Sequence, residues 1–233
     1  MCLDKEDTIM KNIFVKMAAV VTAGSFLFCM TGCSSEETTT DSTADTSSAA
    51  ESETSYGDSM VQLNPTNNEE IEVYIEYDNN YLTEDEAALI SHYVEAINNS
   101  DSALLEEVVY QPYLEYLYSR SGVESAADYL ESIRENLIES YMDSDDFEFD
   151  YLLVNEYYDE NDSDEDTGFS QLDIVLKAIS DDDITEKITS RKAVAVESLY
   201  TYKEAGGSYS LTNRTGEDQM FYLYTIDGQE YIL

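Results

Sequence analysis

Near Phe147 the period of the apolar residues changes from about 3.6 to 2. No other feature of the chain constrains its fold as much. Before the switch, apolar residues recur at helical spacing. After it, they alternate with polar ones as in half-buried strands. Helices first and strands afterwards predict an α+β domain, with N-terminal helices packed on an antiparallel sheet of about four to five strands.

Ahead of the switch, Ile71, Val73, Ile75 and Tyr77 share one face of a short strand or extended lead-in. Thr83 opens a helix, with Glu86 three residues on to complete a capping box. Ile90, Tyr93, Val94 and Ile97 form its apolar stripe. Asn98-Asn99-Ser100-Asp101 ends that helix and caps the next, whose Leu104, Leu105 and Val108 turn inward. Pro112 breaks or restarts the chain, and a short helix is expected from Tyr113 to Arg120, ended near Gly122. The best-defined helix is expected from Val123 to Met142. Its apolar face holds Val123, Ala126, Leu130, Ile133, Leu137 and Tyr141, and Asp128, Glu131, Ser132, Glu135 and Glu139 lie opposite.

Beyond the switch, Phe147, Phe149, Tyr151 and Leu153 alternate as one strand. After the acidic segment Asp159 to Asp166, Leu172, Ile174, Leu176 and Ala178 predict another. Asp181-Asp182-Asp183 reads as a turn, and Ile184 to Ile188 as a shorter extended piece. Val194, Val196, Tyr200 and Tyr202 mark a further strand, closed by Gly206-Gly207. Met220, Tyr222, Tyr224 and Ile226 run into Asp227-Gly228, a strong hairpin dipeptide, and Gln229 to Leu233 complete that hairpin.

The N-terminal end has a different character. Lys11 and Lys16 precede an apolar run from Met17 to Met30, followed by Thr31 and Gly32. This is the layout of a secretory signal, and the run is shorter than the roughly 20 residues a membrane-spanning helix takes. A start at Met10 leaves two lysines and no acid, the better signal. Met30-Thr31-Gly32-Cys33 resembles the lipobox of bacterial lipoproteins, with Met30 in place of the usual Leu, Val or Ile. The resemblance implies cleavage before Cys33 and a diacylglyceryl group on its thiol. Two acyl chains anchor stably where one binds only marginally. The expected partner is therefore a membrane, reached through lipid on Cys33, on the extracytoplasmic side. Residues 1–32 read as the signal peptide, 33–60 as a Ser/Thr/acidic linker expected to be disordered, and 61–233 as the α+β domain.

Charge narrows the partners further. The chain has 51 acidic residues against 11 Lys and Arg, a net −40. The acids and bases before Cys33 cancel, so the mature part keeps that charge. Such a field repels nucleic acid and anionic head groups, and no nucleic-acid partner is expected. No cysteine follows Cys33, so the domain rests on its apolar core without an internal disulfide.

Helices followed by a long-stranded sheet ending in Asp227-Gly228-Gln229-Glu230-Tyr231-Ile232-Leu233 resemble the nuclear transport factor 2-like fold, within the cystatin-like superfamily. Glu230 stands where the common terminal motif has tryptophan. The resemblance covers roughly Leu82 to Leu233 and implies a curved sheet wrapped around a helix to leave a conical pocket. On the strand phases, Tyr151, Ser198, Tyr200, Tyr202, Tyr222 and Tyr224 face inward, as ordinary core or as a pocket lining. Glu148, Asp150, Asp173 and Glu197 face outward, so no strand carboxylate is placed as a general base. The leading reading is a non-catalytic module that binds a small-molecule or protein ligand. An isomerase- or dehydratase-type enzyme using pocket tyrosines, and an accessory subunit of an envelope complex, are the alternatives.

No catalytic, cofactor or metal residue is assigned. His92 is the only histidine and is expected at the surface. Asp143, Asp145 and Asp146 read as a solvated turn. Asp162, Asp164 and Asp166, with Asp173 further on, imitate a calcium loop, but Gly168 falls one position late and Asp173 replaces the bidentate glutamate. A hairpin tip is the expected reading. Calcium titration with a chelator control is therefore expected to leave the melting temperature unchanged.

Overall fold

The structure, a computed structural model, describes residues 59–163, 167–180, 184–203 and 206–233. The leader, Cys33, nearly all of the linker, Asp164, Asp166 and the Asp181–Asp183 turn lie outside the described residues. The domain opens with a strand the sequence did not announce, β1 at Met60–Leu63. It pairs antiparallel with β2, Tyr74–Asp78. Ile71, Val73, Ile75 and Tyr77 are all buried, as their alternation predicts.

The helices follow their caps. α1 spans Glu84–Asn99, and the Thr83–Glu86 capping box is fully formed. Ser100 ends it in the left-handed conformation, and Asp101 caps α2, Ser102–Val108, by accepting from Ala103 N and Leu104 N. α3, Gln111–Ser121, carries Pro112 in its first turn, where a missing N–H costs nothing, and stops at Gly122 with φ +73°. α4 spans Ala126–Ser140 and starts later than the apolar stripe suggests, because the Ser125 hydroxyl caps Asp128 N.

Two long strands form the spine of the sheet: β3, Phe147–Asp159, and, after the next helix, the strand at Ile188–Tyr202. Between them the sequence predicted a strand at Leu172–Ala178. The structure has a helix there, α5 at Phe169–Ile179. Phe169, Leu172 and Leu176 are its buried residues, at helical spacing, while Ile174 is 52% exposed. Apolar residues are so dense in this segment that both periods fit it. A short 3-10 turn at Ile184–Glu186 leads into β4, the Ile188–Tyr202 strand. β5 (Ser208–Ser210), α6 (Thr212–Thr215), β6 (Gln219–Ile226) and β7 (Gln229–Ile232) complete the domain. Asp227 and Gly228 both have positive φ, as a two-residue hairpin turn requires.

The sheet has seven strands, in the order β1-β2-β3-β4-β6-β7 with β5 beside β4. All pairings are antiparallel except β2 with β3, which is parallel, so the sheet is mixed and larger than predicted. The domain is α+β, with six helices among the described residues. Helices cover both faces. Tyr93 of α1 meets the Phe221 ring edge-on, while Phe169 of α5 meets Tyr222 and Tyr224. Neighbouring residues of one strand point to opposite faces, so α1 and α5 lie on opposite sides of β6.

Polar side chains fix how α1 sits. Glu95, buried, accepts from Glu72 N at 2.5 Å and Val73 N at 3.0 Å through one oxygen. The Ser91 hydroxyl donates to Val73 O at 2.6 Å and lies 3.0 Å from that same carboxylate. Asn98 accepts from Phe149 N and donates to Phe149 O. Replacing Glu95 by alanine strands one buried and one partly buried N–H group. The expected loss is about 2–3 kcal/mol by urea unfolding, with a smaller loss for Glu95→Gln, which keeps an acceptor in place.

Candidate functional site

Five of the six residues expected to face inward are buried: Ser198, Tyr200, Tyr202, Tyr222 and Tyr224. They do not line one pocket. Val194 pairs with Phe221 and Ala193 with Tyr222. Directly paired residues share a face, so Tyr200 and Tyr202, in phase with Val194, lie opposite to Tyr222 and Tyr224. Tyr151 is the sixth, and a β-bulge between Phe149 and Tyr151 turns it outward. Its hydroxyl donates to Glu76, and Leu152 takes its place in the core.

Tyr222 borders a small, partly open cavity between α1, α3 and the start of β6, together with Tyr93, Tyr113, Leu117 and Met220. Its volume is about 20 Å³, enough for about one water. Burial pushes the Tyr93 and Tyr113 phenols well above their ordinary pKa, and the neighbouring Tyr129 phenol adds to the shift. Tyr200 and Tyr202 pack at the other end of β4 against Phe147, Phe149 and Tyr209. Burial raises Tyr200 to about 12.

The face that carries α5 holds an open polar cleft of about 460 Å³. Glu160, Asp162, Thr167, Ser170, Asp173 and Arg191 line it. β4 delivers Arg191 and α5 delivers Asp173, and the two meet in a forked pair: Nε to Oδ1 at 3.1 Å and Nη2 to Oδ2 at 3.0 Å. Arg191 Nη1 lies 3.7 Å from Glu160, and the guanidinium sits 5.8 Å from the centre of the Tyr224 ring. The Tyr224 hydroxyl donates to Asp173 Oδ1 at 3.3 Å. Burial pulls the Arg191 pKa down, but Asp173 more than offsets this and the net shift is upward. Burial, then Asp173, pushes Tyr224 far up.

Asp173 is thus not a strand residue. It lies on a helix and is committed to Arg191. Among the described residues, no group of three or more His, Cys, Asp or Glu side chains could hold a metal ion. His92 is half-buried on α1, with Nε2 3.2 Å from Glu70 O. Asp143 pairs with Arg214 at 2.5 Å. Glu148 and Asp150 are exposed, as expected, and Glu197 is half-buried.

The strands carry no buried carboxylate, but α1 carries two. Glu86 receives Thr83 N at 2.8 Å and Lys192 Nζ at 2.7 Å, and Lys192 also donates to Tyr81 O. Glu95 is held as described above. Glu230, where the terminal motif has tryptophan, faces this cluster. Burial, Glu86 and Asp85 raise its pKa. Glu86 was legible as a cap, but its reach to β4 was not. The polar pair Ser91 and Glu95, four apart beside the apolar stripe, was the signal for the second site. Each buried carboxylate already has donors, an arrangement that fixes structure and leaves proton transfer unserved.

Compared with known proteins, the chain matches no family model, no curated protein and no solved structure. Among the described residues, no helix is long and apolar enough to cross a membrane.

The buried tyrosines predict an alkaline limit. Their folded pKa values lie above the ordinary value near 10, so the unfolded chain releases phenol protons first. Stability is fully present below about pH 10 and falls as pH rises toward about 12, where Tyr200 titrates. Urea midpoints measured along an alkaline series should drop over that window, while tyrosinate absorbance lags behind that of the unfolded chain.

Proposed function

We propose that this protein is an extracytoplasmic lipoprotein, held to the membrane by lipid on Cys33, whose α+β domain is a non-catalytic binding module. The observation that carries the reading is Met30-Thr31-Gly32-Cys33 at the end of the apolar run. The acidic linker before Met60 supports it, as a spacer between the bilayer and the first strand. So does a net charge of −40, which makes an unlipidated attraction to anionic head groups unfavourable.

Two observations favour binding over catalysis. The small cavity beside Tyr222 takes about one water, and the buried carboxylates of α1 are occupied by backbone and lysine donors. A ligand would instead meet the outer surface, where the cleft at Arg191 gathers three carboxylates around one guanidinium. That lining suits a partner rich in donors or positive charge. The enzyme alternative draws on one contact, the Tyr224 hydroxyl on Asp173 in an open cleft. The forked Arg191 pair weighs against it, since Asp173 must leave the guanidinium before it takes a proton.

The nuclear transport factor 2-like cone is the finer fold reading we propose. Its support is the block of four helices ahead of the long strands, α1 laid across the sheet, and the antiparallel run β3-β4-β6-β7 closed by the Asp227-Gly228 turn. The helix α5 on the opposite face is an addition to that plan.

Replacing Cys33 by alanine tests the anchor. The wild type should enter the detergent phase and carry an acyl adduct on its N-terminal cysteine by mass spectrometry. The variant should stay in the aqueous phase. A variant that still sediments with vesicles would overturn the reading.

A further inference from the structure

Among the described residues β1 is the outermost strand of the sheet, so one of its rims faces away from β2. Asn79 N donates to Ser59 O at 3.0 Å. That bond sets the ladder phase. Ser59, Val61 and Leu63 turn their backbone groups toward β2, and Met60, Gln62 and Asn64 turn theirs outward. A rim of unpaired groups is a template for another strand, and proteins commonly guard such rims with charged side chains. This one has no such guard. Ser59 to Asn68 carries no charge at all in a chain of net −40.

Two groups of the rim are nevertheless occupied. Asn67 Nδ2 donates to Gln62 O at 2.6 Å, and Asn67 Oδ1 accepts from Asn64 N at 2.8 Å. One residue of a parallel neighbouring strand makes this same pair of bonds, giving its N–H to one carbonyl and its C=O to the amide two residues on. The side-chain amide therefore stands in for a strand. The turn that delivers it is itself fastened, with Asn67 N and Asn68 N both donating to Asn64 O. Asn98 treats Phe149 of β3 in a comparable way, bonding both its N–H and its C=O.

We propose that the Asn67 carboxamide is a plug on the β1 rim, and that the strand it shuts out is β1 of a second copy of this chain. A second copy fits because the exposed rim is short and uncharged, so two rims can approach across a two-fold axis without like charges meeting in the ladder. The inference is independent of the binding role proposed above.

The test uses the full chain in detergent micelles and sedimentation velocity over a concentration series. The wild type should be monomeric. Asn67→Ala should lower the dimer Kd about tenfold or more. Adding Met60→Pro, which removes an outward N–H from the rim, should restore the monomer. Circular dichroism melting checks that each variant is folded. If Asn67→Ala does not fold, Asn67→Asp keeps the acceptor for Asn64 N, loses the donor to Gln62 O, and should show a weaker shift in the same direction. A folded Asn67 variant that stays monomeric throughout the series overturns the proposal. So does a wild type that is already dimeric, or a dimer indifferent to Met60→Pro.

Discussion

The attachment of α1 to the sheet is the constraint on which the rest of the domain depends. Its apolar stripe buries Ile90, Val94 and Ile97, but greasy contact alone leaves a helix free to slide. Buried polar side chains remove that freedom. Glu86 reaches Lys192 on β4, Glu95 takes the backbone ahead of β2, and Asn98 grips Phe149 on β3. Each bond contributes only about 1 kcal/mol net, yet leaving its partner buried and unmatched costs more. The ties therefore set the helix in one register against three parts of the sheet. No cysteine follows Cys33, so the domain has no internal disulfide to do this.

Positive charge is scarce, and the structure spends it on specific acids. Lys192 is committed to Glu86, Arg191 to Asp173, Arg214 to Asp143 and Lys203 to Glu148. The first two lie largely out of solvent; Lys192–Glu86 joins elements distant in sequence, and Arg191–Asp173 ties α5 to the strand that follows it. The last two are more exposed and contribute little to stability. The remaining carboxylates present an acidic exterior that keeps copies of the protein apart at low salt, and this repulsion fades within about 10 Å at ordinary ionic strength.

Much of the helical half was legible because caps are local. Thr83 with Glu86, Asp101 and Gly122 each act within a few residues, and the structure has them in those roles. The Asp227-Gly228 turn was legible for the same reason. What failed was decided at long range. Leu172 to Ala178 fits both periods, and the rings of Tyr222 and Tyr224, remote in sequence, provide the surface on which α5 forms. A bulge after Phe149 reverses the phase of Tyr151, and no local pattern marks it. The tyrosines of β4 and β6 look alike in alternation, but their relative face depends on inter-strand register, which a single sequence does not carry. The acid-lined cleft at Arg191 was hidden for the same reason, since it needs α5 to be a helix.

The parallel joining of β2 to β3 sets a timetable for the nascent chain. Tyr74 lies beside Tyr151, with four helices in the loop between them. The entropy of closing so long a segment is met only after β3 has been synthesised and paired. β1 and β2 pair with each other, but their attachment to the rest of the sheet must wait for β3. Joining this edge to the sheet is therefore a non-local step that local pairing of the hairpins does not need.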